Sequence, residues 1–395
     1  MSIRPYAGLR VVDLSTTLAG PHCTRLLADH GATVIKVEPP EGEMLRCRLP
    51  LRDGHSTLFG HLNAGKLSVA LDLKSAEGRD AVQALARGAD ILVENFRPGV
   101  MNKLGLGHEA LCAENPALIY CSISGYGQTG PSAAQAAYAP VIHAAAGYDL
   151  AHLDYQQGRH RPDYCGIYVA DVIAGTYAFG AIGVALHMRH STGRGRFIDV
   201  SMLESTLTLM PAEVQAAQFE VSRPSRPLFG PIETADGFVM LAVGSEKSFR
   251  AIAEAMGRPD IVDDPRFARY AERRANWAAL MDIIEQWSRG LGSEACMVTL
   301  ERHGLPASRY RTVAEALADP QLAHRGAVVS VSDAAGSFRT LNPPFRIGGA
   351  EIGAGERAPR LGEHTAWALA EAGLASERVA ALSGDAGHDG SGAAR

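Results

Sequence analysis

Asp171 is the one charged side chain in an otherwise apolar and small-residue stretch, GIYVADVIAGTYAFGAIGVAL, at residues 166–186. Burying a carboxylate without partners costs several kcal/mol or drives it to take up a proton. In the first turn of a helix, free backbone N–H groups stabilise a carboxylate, which can then stay ionised and nucleophilic among apolar neighbours. On these grounds Asp171 is either a nucleophile or an ordinary aspartate at a helix start.

Asn95, Phe96 and Arg97 follow a short apolar segment that predicts a strand. Ligands of open α/β sheets bind beyond the carboxyl ends of the strands, so these three side chains are well placed to contact one. The alternative interpretation is a satisfied turn with an exposed arginine.

The glycines Gly125, Gly127 and Gly130 spell G-x-G-x-x-G after another predicted strand. This pattern indicates dinucleotide binding when it closes the first strand of a βαβ unit and opens a helix. Here it follows about the fifth strand, and Pro131 and Ser132 stand where a helix should already run. A loop beside an active site is favoured, and an NAD-dependent oxidoreductase stays as an alternative class.

A serine hydrolase is a weaker possibility, built from Ser124, His143 and Asp171. The chain lacks the G-x-S-x-G elbow, and its 14 histidines offer such trios by chance. His143 is interpreted as a core or pocket-wall histidine. The six cysteines are scattered without C-x-x-C spacing, which predicts reduced thiols and no metal site.

The elements that must position these residues alternate between strand and helix from Leu9 onward, as in RVVDLS, PHCTRLLADHGA and TVIKVE. Such alternation predicts an α/β fold with a parallel sheet covered on both faces. We expect a large domain at 1–225, a smaller α+β domain at 226–325, a returning segment at 326–382 and a disordered tail at 383–395.

Composition narrows the classes of partner. Lys and Arg number 38 against 43 Asp and Glu, a net charge of −5, so neither nucleic acid nor an acidic membrane is an expected partner. The N-terminus lacks a signal-peptide pattern, and we expect a cytoplasmic protein. Residues 166–186 approach the length of a membrane span, but Asp171 and several glycines favour a buried helix instead.

Long segments in the same order along nearly the whole chain resemble the family III CoA transferases, the CaiB/BaiF family. The family includes formyl-CoA transferase, carnitine CoA transferase and, by descent, α-methylacyl-CoA racemase. The matching segments include GLRVVDLSTTLAGPHCTRLLADHGATVIKVEPPEGEMLR, NAGKLSVALDLK, VENFRPGVMNKLGLG, SISGYGQTGP, STGRGRFIDVSM, TADGFVMLAVG, ADPQLAHRGAVV and APRLGEHT. The resemblance implies a Rossmann-like large domain, a small domain and an interlocked homodimer.

The resemblance also implies a reaction. Asp171 matches the aspartate that attacks the acyl-CoA thioester, giving an aspartyl-acyl anhydride and then an aspartyl-CoA thioester that passes CoA to an acceptor acid. Acyl-CoA and a small carboxylic acid are then the substrates, with no metal and no tightly bound cofactor. The residues that the resemblance places against CoA or beside the nucleophile are Thr17, Leu18, Ala19, Arg46, Leu71, Lys74, Asn95, Phe96, Lys103, Tyr138 and Met202. Arg97 is added to these binding residues because of its position after the predicted strand.

Three departures from formyl-CoA transferase bear on the substrate. Pro39 and Ala136 stand where that enzyme has basic residues, and its glycine-rich GGGGQ loop is replaced around FGPIETADG. Oxalate and formyl-CoA are therefore not the expected pair. A short dicarboxylate such as succinate is suggested by the family and by Arg97.

Racemisation is the alternative within the family. The racemase histidine falls on Tyr138, whose phenol, with an ordinary pKa near 10, is a poor base at neutral pH. Transfer is therefore favoured over racemisation. A non-catalytic CoA-binding protein is the remaining class, and the roles of His143 and Glu246 stay open.

Overall fold

The computed structural model describes residues 3–156, 158–162, 164–220 and 229–384. Its contacts divide the chain into two compact units. The larger unit takes in the described residues of Met1–Leu150, Asp163–Pro211 and Gln321–Arg395, and the smaller those of Ala151–Pro162 and Ala212–Pro320. The smaller unit thus begins before residue 226, and it includes a segment that the sequence analysis had assigned to the larger domain.

The strands of the described residues, in chain order, are β1 Arg10–Asp13, β2 Thr33–Glu38, β3 Leu51–Arg52, β4 His55–Ser56, β5 Leu67–Ala70, β6 Ile91–Glu94, β7 Ile119–Ser124, β8 Phe197–Ser201, β9 Phe229–Thr234, β10 Gly237–Ala242, β11 Ala307–Arg309, β12 Val328–Asp333 and β13 Gly336–Leu341. The helices are α1 Ala19–Asp29, α2 Thr57–Asn63, α3 Ala76–Arg87, α4 Val100–Lys103, α5 His108–Glu114, α6 Ala139–Ala145, α7 Tyr148–Leu153, α8 Val169–Thr192, α9 Met202–Leu207, α10 Pro211–Ala216, α11 Glu246–Ala255, α12 Tyr270–Ala275, α13 Trp277–Ser288, α14 Ser293–Arg302, α15 Val313–Leu317, α16 Pro320–His324, α17 Thr365–Glu371 and α18 Ser376–Gly384.

A six-stranded sheet forms the centre of the larger unit, in the order β5-β2-β1-β6-β7-β8. Every neighbouring pair in it is parallel. The predicted parallel sheet is confirmed. If these six strands are numbered 1 to 6 by their order in the chain, their order across the sheet is 3-2-1-4-5-6. The direction of winding therefore reverses between β1 and β6, and α/β sheets bind ligands at such a point.

Alternating strand residues fill two separate cores, one on each face of the sheet. Val11 and Val93 pack with α1, α6 and α8, whereas Val12 and Leu92 pack with α3, α5 and α17. Burial on both faces explains why apolar residues are neighbours in sequence in these strands, as at Val11 and Val12. Each buried valine or leucine contributes roughly 1.5–3 kcal/mol relative to an exposed one.

Helices α1 and α8 cross at a glycine. A Cβ atom built on Gly175 would lie 2.4 Å from the carbonyl oxygen of Ala19, so only glycine permits this approach. Because Gly175 lies one turn after Asp171, the contact fixes the first turn of α8 against the start of α1. Of the helices described, α8 alone is long and apolar enough to span a membrane; here Ala174, Ala178 and Ile182 are buried in the core.

The smaller unit has its own antiparallel sheet, β11-β10-β9, with a hairpin between Thr234 and Gly237. Its core contains Phe249, Ile252, Trp277 and Leu280 from the packed helices. In the larger unit, α18 ends at Gly384. The predicted disordered tail at 383–395 therefore overlaps a helix at its first two residues, and the remainder lies outside the described residues.

Candidate active site

A cavity of about 250 Å³ opens at the carboxyl ends of β1, β6 and β7, beside the starts of α8 and α9. It lies at the point where the winding of the sheet reverses. Its lining residues are Thr16, Thr17, Ala19, Met44, Asn95, Phe96, Arg97, Pro98, Ile123, Ser124, Gly125, Gln135, Ala137, Tyr138, Asp171 and Met202. The structure thus brings together Asp171 and the predicted residues Thr17, Ala19, Asn95, Phe96, Arg97, Tyr138 and Met202.

Asp171 occupies the third position of α8, and its side chain is nine-tenths buried. Throughout the described part of the chain, no side chain or backbone N–H donates a hydrogen bond to its carboxylate. Burial raises the pKa of Asp171 to about 7. The helix dipole favours the charged form, and desolvation opposes it. That the helix start can keep Asp171 ionised stays a prediction.

The loop between β1 and α1 is held in an unusual conformation. Thr17 has a φ of 66°, a left-handed value that is rare for a β-branched residue. The Thr16 N–H donates to Asn95 Oδ1, and Asn95 Nδ2 donates back to the Thr16 carbonyl, both at 2.8 Å. The Thr17 N–H donates to Glu43 Oε2 at 3.0 Å. Asn95 thus ties together the two loops that flank the reversal of the sheet.

A buried ionic network contacts this loop and stabilises its conformation. Lys66 Nζ lies 3.0 Å from Asp13 Oδ2, and Lys36 Nζ lies 2.9 Å from Glu43 Oε1. Lys36 also donates to the carbonyl of Ser15 at 2.9 Å. Burial alone would raise the pKa of Asp13, but the two ammonium charges and neighbouring hydroxyl groups lower it to about 2. This network was not predicted from the sequence, because isolated lysines are usually exposed.

Arg46 was expected to pair with a CoA phosphate, and the structure gives its guanidinium another partner. Nε and Nη2 of Arg46 donate to the two carboxylate oxygens of Glu38 at 2.6 and 2.7 Å. The guanidinium also lies 3.9 Å from the centre of the Phe59 ring. Glu38 is fully buried and needs this charge, so we do not retain Arg46 as a phosphate ligand.

Four further predicted CoA contacts lie outside the cavity lining. Leu18 is buried against Leu45 and Phe59. Leu71 lines a separate depression of about 330 Å³ at the ends of β2 and β5. Lys74 and Lys103 are exposed at the surface. Their contacts with CoA stay predictions.

Arg97 is the one cationic side chain among the described residues that line the cavity. It is exposed, and none of the described residues forms an ion pair with it. An unpaired guanidinium at a cavity wall can bind a carboxylate or a phosphate with two parallel hydrogen bonds.

The glycine motif forms a loop, as expected, and no helix begins on it before Ala139. Gly125 lines the cavity, and a Cβ atom there would lie 2.3 Å from the Cβ of Ala137. The Gln128 N–H donates to Asp199 Oδ2 at 2.9 Å, which fixes the loop to β8. Without a helix N-terminus at this point, the motif lacks the phosphate site of a dinucleotide fold.

The lining residues that were not predicted from the sequence are Thr16, Met44, Pro98, Ile123, Gln135 and Ala137. Ile123 lies near the end of β7, so the rule that selected Asn95 would have found it. Gln135 and Ala137 lie in an irregular segment that no pattern marks.

His143 and Glu246 have structural partners. His143 is buried, as predicted, and its Nε2 accepts a hydrogen bond from the Ala170 N–H at 3.1 Å. In the smaller unit, Glu246 Oε2 lies 2.6 Å from Nη2 of the buried Arg273. The described residues contain no group of three His, Cys, Asp or Glu side chains that could hold a metal ion.

Comparison with known proteins identifies the chain's relatives. The model of "CoA-transferase family III" matches residues 6–365. The succinyl-CoA:D-citramalate CoA-transferase of Chloroflexus aurantiacus is 35% identical over 375 residues, covering 91% of this chain and 92% of that protein. The succinate:glutarate CoA-transferase of Agrobacterium fabrum is 35% identical over 384 residues, covering 93% of this chain and 95% of that protein.

A solved structure has the same architecture. The crystal structure of a CaiB/BaiF family protein from Brucella suis superimposes with a TM-score of 0.83 at 33% identity, covering 94% of this chain and 100% of that one. The family match extends across both units of the chain, and the structural match covers nearly all of it. The chain therefore belongs to CoA-transferase family III.

Proposed function

We propose that the protein transfers CoA from an acyl-CoA donor to a carboxylic acid, with Asp171 as the nucleophile. The observation that carries the proposal is the Asp171 carboxylate itself, which faces the cavity and has no hydrogen-bond or ion-pair partner among the residues that the structure describes. A carboxylate that serves only the fold would be expected to accept hydrogen bonds from the helix start. The family and its named relatives support the same reaction.

The reaction begins when an Asp171 oxygen attacks the thioester carbon. The C–S bond breaks, CoA leaves as a thiolate, and an aspartyl-acyl anhydride remains. The thiolate then attacks the Asp171 carbonyl carbon, which releases the donor acid as a carboxylate and leaves an aspartyl-CoA thioester.

In the second half of the reaction, the acceptor acid passes through the same two kinds of intermediate in the reverse order. Its carboxylate attacks the aspartyl carbonyl carbon and releases CoA thiolate, forming a second anhydride. The thiolate attacks the acceptor's carbonyl carbon, giving the new acyl-CoA and free Asp171. No proton is consumed overall, since every entering and leaving group is an anion.

Two features of the cavity favour this chemistry. A desolvated carboxylate is a stronger nucleophile, and Ile123, Ala137 and Met202 line the cavity with apolar groups that limit access of water to an anhydride. The first turn of α8 borders the cavity, so the positive end of its dipole would stabilise negative charge that develops there on an attacked carbonyl oxygen.

The proposed substrates are succinyl-CoA as donor and a short dicarboxylic acid as acceptor. Relatives named for citramalate, glutarate and mesaconate support this choice. Arg97 is suited to bind an anionic group of either substrate, and we expect Arg97→Ala to raise KM for one of them about tenfold or more. Arg97→Lys, which keeps the charge, is the matched comparison; unchanged KM values in both variants would exclude Arg97 from binding.

Racemisation is disfavoured by the surroundings of Asp171. It needs a second acid–base group across the substrate, and no histidine lines the cavity among the described residues. The Nε2 atom of His143 is occupied by the Ala170 N–H, so this histidine is not a free base. Tyr138 is the cavity residue at the matching position.

Initial-rate kinetics test the proposal. Succinyl-CoA is varied at several concentrations of glutarate, citramalate, mesaconate or acetate, and product CoA esters are separated by chromatography. We expect parallel double-reciprocal lines and higher kcat/KM for the dicarboxylates than for acetate. Deuterium uptake at Cα of a 2-methylacyl-CoA without transfer would support racemisation and contradict the proposal.

We also propose that two copies interlock as a homodimer. Val172, Tyr177, Val184 and Met188 are exposed apolar residues of α8, with Val184 62% exposed, and such a surface is typical of an interface. Light scattering should give twice the chain mass, and Val184→Glu should shift it toward the monomer. A monomeric wild-type protein at micromolar concentration would contradict this.

A cytoplasmic location is the accompanying proposal. It is supported by the six cysteines, all free thiols, of which Cys23, Cys121 and Cys296 are buried. Fractionation of the source cells tests this location. Recovery of the protein in the membrane or secreted fraction would contradict it.

A further inference from the structure

His143 reaches from α6 to the first turn of the neighbouring helix α8. Its side chain is 1% exposed, and its Nε2 accepts a hydrogen bond from the Ala170 N–H at 3.1 Å. Ala170 is the second residue of α8 and immediately precedes Asp171. The first N–H groups of a helix have no acceptor within the helix. The N-cap residue Tyr168 supplies no side-chain acceptor, so the imidazole of His143 takes that role from another helix.

The hydrogen bond fixes the chemical form of the imidazole. A nitrogen that accepts a hydrogen bond carries no proton, so in neutral His143 the proton is on Nδ1. Desolvation lowers the pKa of His143, with the Asp149 charge opposing it in part. A cation at a helix N-terminus would also be repelled by the helix dipole. Both influences keep His143 a neutral acceptor.

The orientation of Asp171 depends on this backbone contact. Because no described group donates a hydrogen bond to its carboxylate, the orientation of Asp171 depends on the backbone of α8, on the side-chain torsions and on the packing around the side chain. The α8 backbone is held at two points near Asp171. The contact between Gly175 and Ala19 holds it one turn after Asp171. The hydrogen bond from the Ala170 N–H to His143 holds it one residue before Asp171.

We propose that His143 is a positioning residue that holds the first turn of α8 and thereby aims the Asp171 carboxylate at the thioester. This proposal rests on the proposed function of Asp171. Displacing a reacting group by about 1 Å can cost about 100-fold in rate. Since His143 does not line the cavity, its loss should affect the chemical steps and leave CoA binding largely unchanged.

The test compares two amides that differ only in reach. His143→Gln can place a carbonyl oxygen near the position of Nε2, whereas His143→Asn places it near Nδ1 and leaves the Ala170 N–H unpaired. His143→Phe keeps the ring volume and removes the acceptor. For each variant, kcat and KM are measured with succinyl-CoA, the Kd for CoA is measured by calorimetry, and folding is checked by circular dichroism.

We expect His143→Asn and His143→Phe to lower kcat by about tenfold or more while the Kd for CoA changes less than about threefold. His143→Gln should recover most of the wild-type kcat. If His143→Phe does not fold, the comparison of His143→Gln with His143→Asn still tests whether the acceptor at the Nε2 position matters. Equal kcat in the Gln and Asn variants, or equal losses in kcat and CoA affinity, would overturn the proposal. Activity that survives Asp171→Asn would instead contradict the proposed function itself.

Discussion

Burial of Asp171 should destabilise the folded protein when the carboxyl is ionised. Its pKa rises from 3.8 to about 7 on folding. Since each pKa unit corresponds to ~1.4 kcal/mol, the full cost of the charged form is about 4 kcal/mol. Between these two values the folded chain holds a proton that the unfolded chain has lost. Stability therefore falls as pH rises through this window, and the whole cost is present above about pH 7.

Asp171→Asn removes the charge and nearly preserves the shape of the side chain. Its free energy of unfolding should exceed that of the wild type by about 4 kcal/mol at pH 8 and by about 2 kcal/mol at pH 5. The assay is urea unfolding at one protein concentration, followed by far-UV circular dichroism. Glu109→Gln is the control, because Glu109 is an exposed carboxylate in the first turn of α5 and its removal should give no gain.

An Asp171→Asn variant that is no more stable than wild type at pH 8 would show that burial of the Asp171 charge does not destabilise the fold. A gain that is the same at both pH values would also refute this cause of destabilisation, because the stabilisation would then not come from removing a titrating charge.

Three further predictions concern catalysis and the scaffold. We expect kcat/KM to rise about tenfold per pH unit below pH 7 and to level off above it, as Asp171 ionises; a flat profile between pH 5 and 9 would contradict this. Arg46→Ala should destabilise the protein by roughly 3–5 kcal/mol in urea unfolding, because Glu38 is left buried without its partner; a loss below about 1 kcal/mol would show that the pair is not needed. Gly175→Ala should lower the free energy of unfolding by about 1–3 kcal/mol and also lower kcat. Gly183→Ala is the control, because the new methyl group would meet only a side chain, at 3.5 Å, and should change neither quantity. Equal losses of stability and kcat in the two variants would exclude the contact between α1 and α8 as the cause.

The sheet could be predicted because each strand and helix has its own local pattern. Val11 and Val12 in β1, and the three residues from Ile91 to Val93 in β6, are consecutive apolar residues, which indicates burial on both faces of a parallel sheet. Residues directly after such strands, including Asn95 and Arg97, could be assigned to a site by that rule alone.

Contacts between distant segments could not be predicted from local patterns. Asn95 is bonded to Thr16, 79 residues earlier, and nothing near either residue indicates this. Arg46 resembles a phosphate ligand in the sequence, but the buried Glu38 on β2 takes up its charge. The pKa of Asp171 likewise depends on which neighbours remove it from water, and those come from several elements.

The central claim is that CoA passes through a covalent bond to Asp171. The most direct test mixes the protein with succinyl-CoA, quenches with hydroxylamine, and maps the modified peptide by mass spectrometry. We expect a hydroxamate on Asp171 that is absent without succinyl-CoA and absent from Asp171→Asn. Active transfer with no modification of Asp171, or with the modification on another residue, would contradict it.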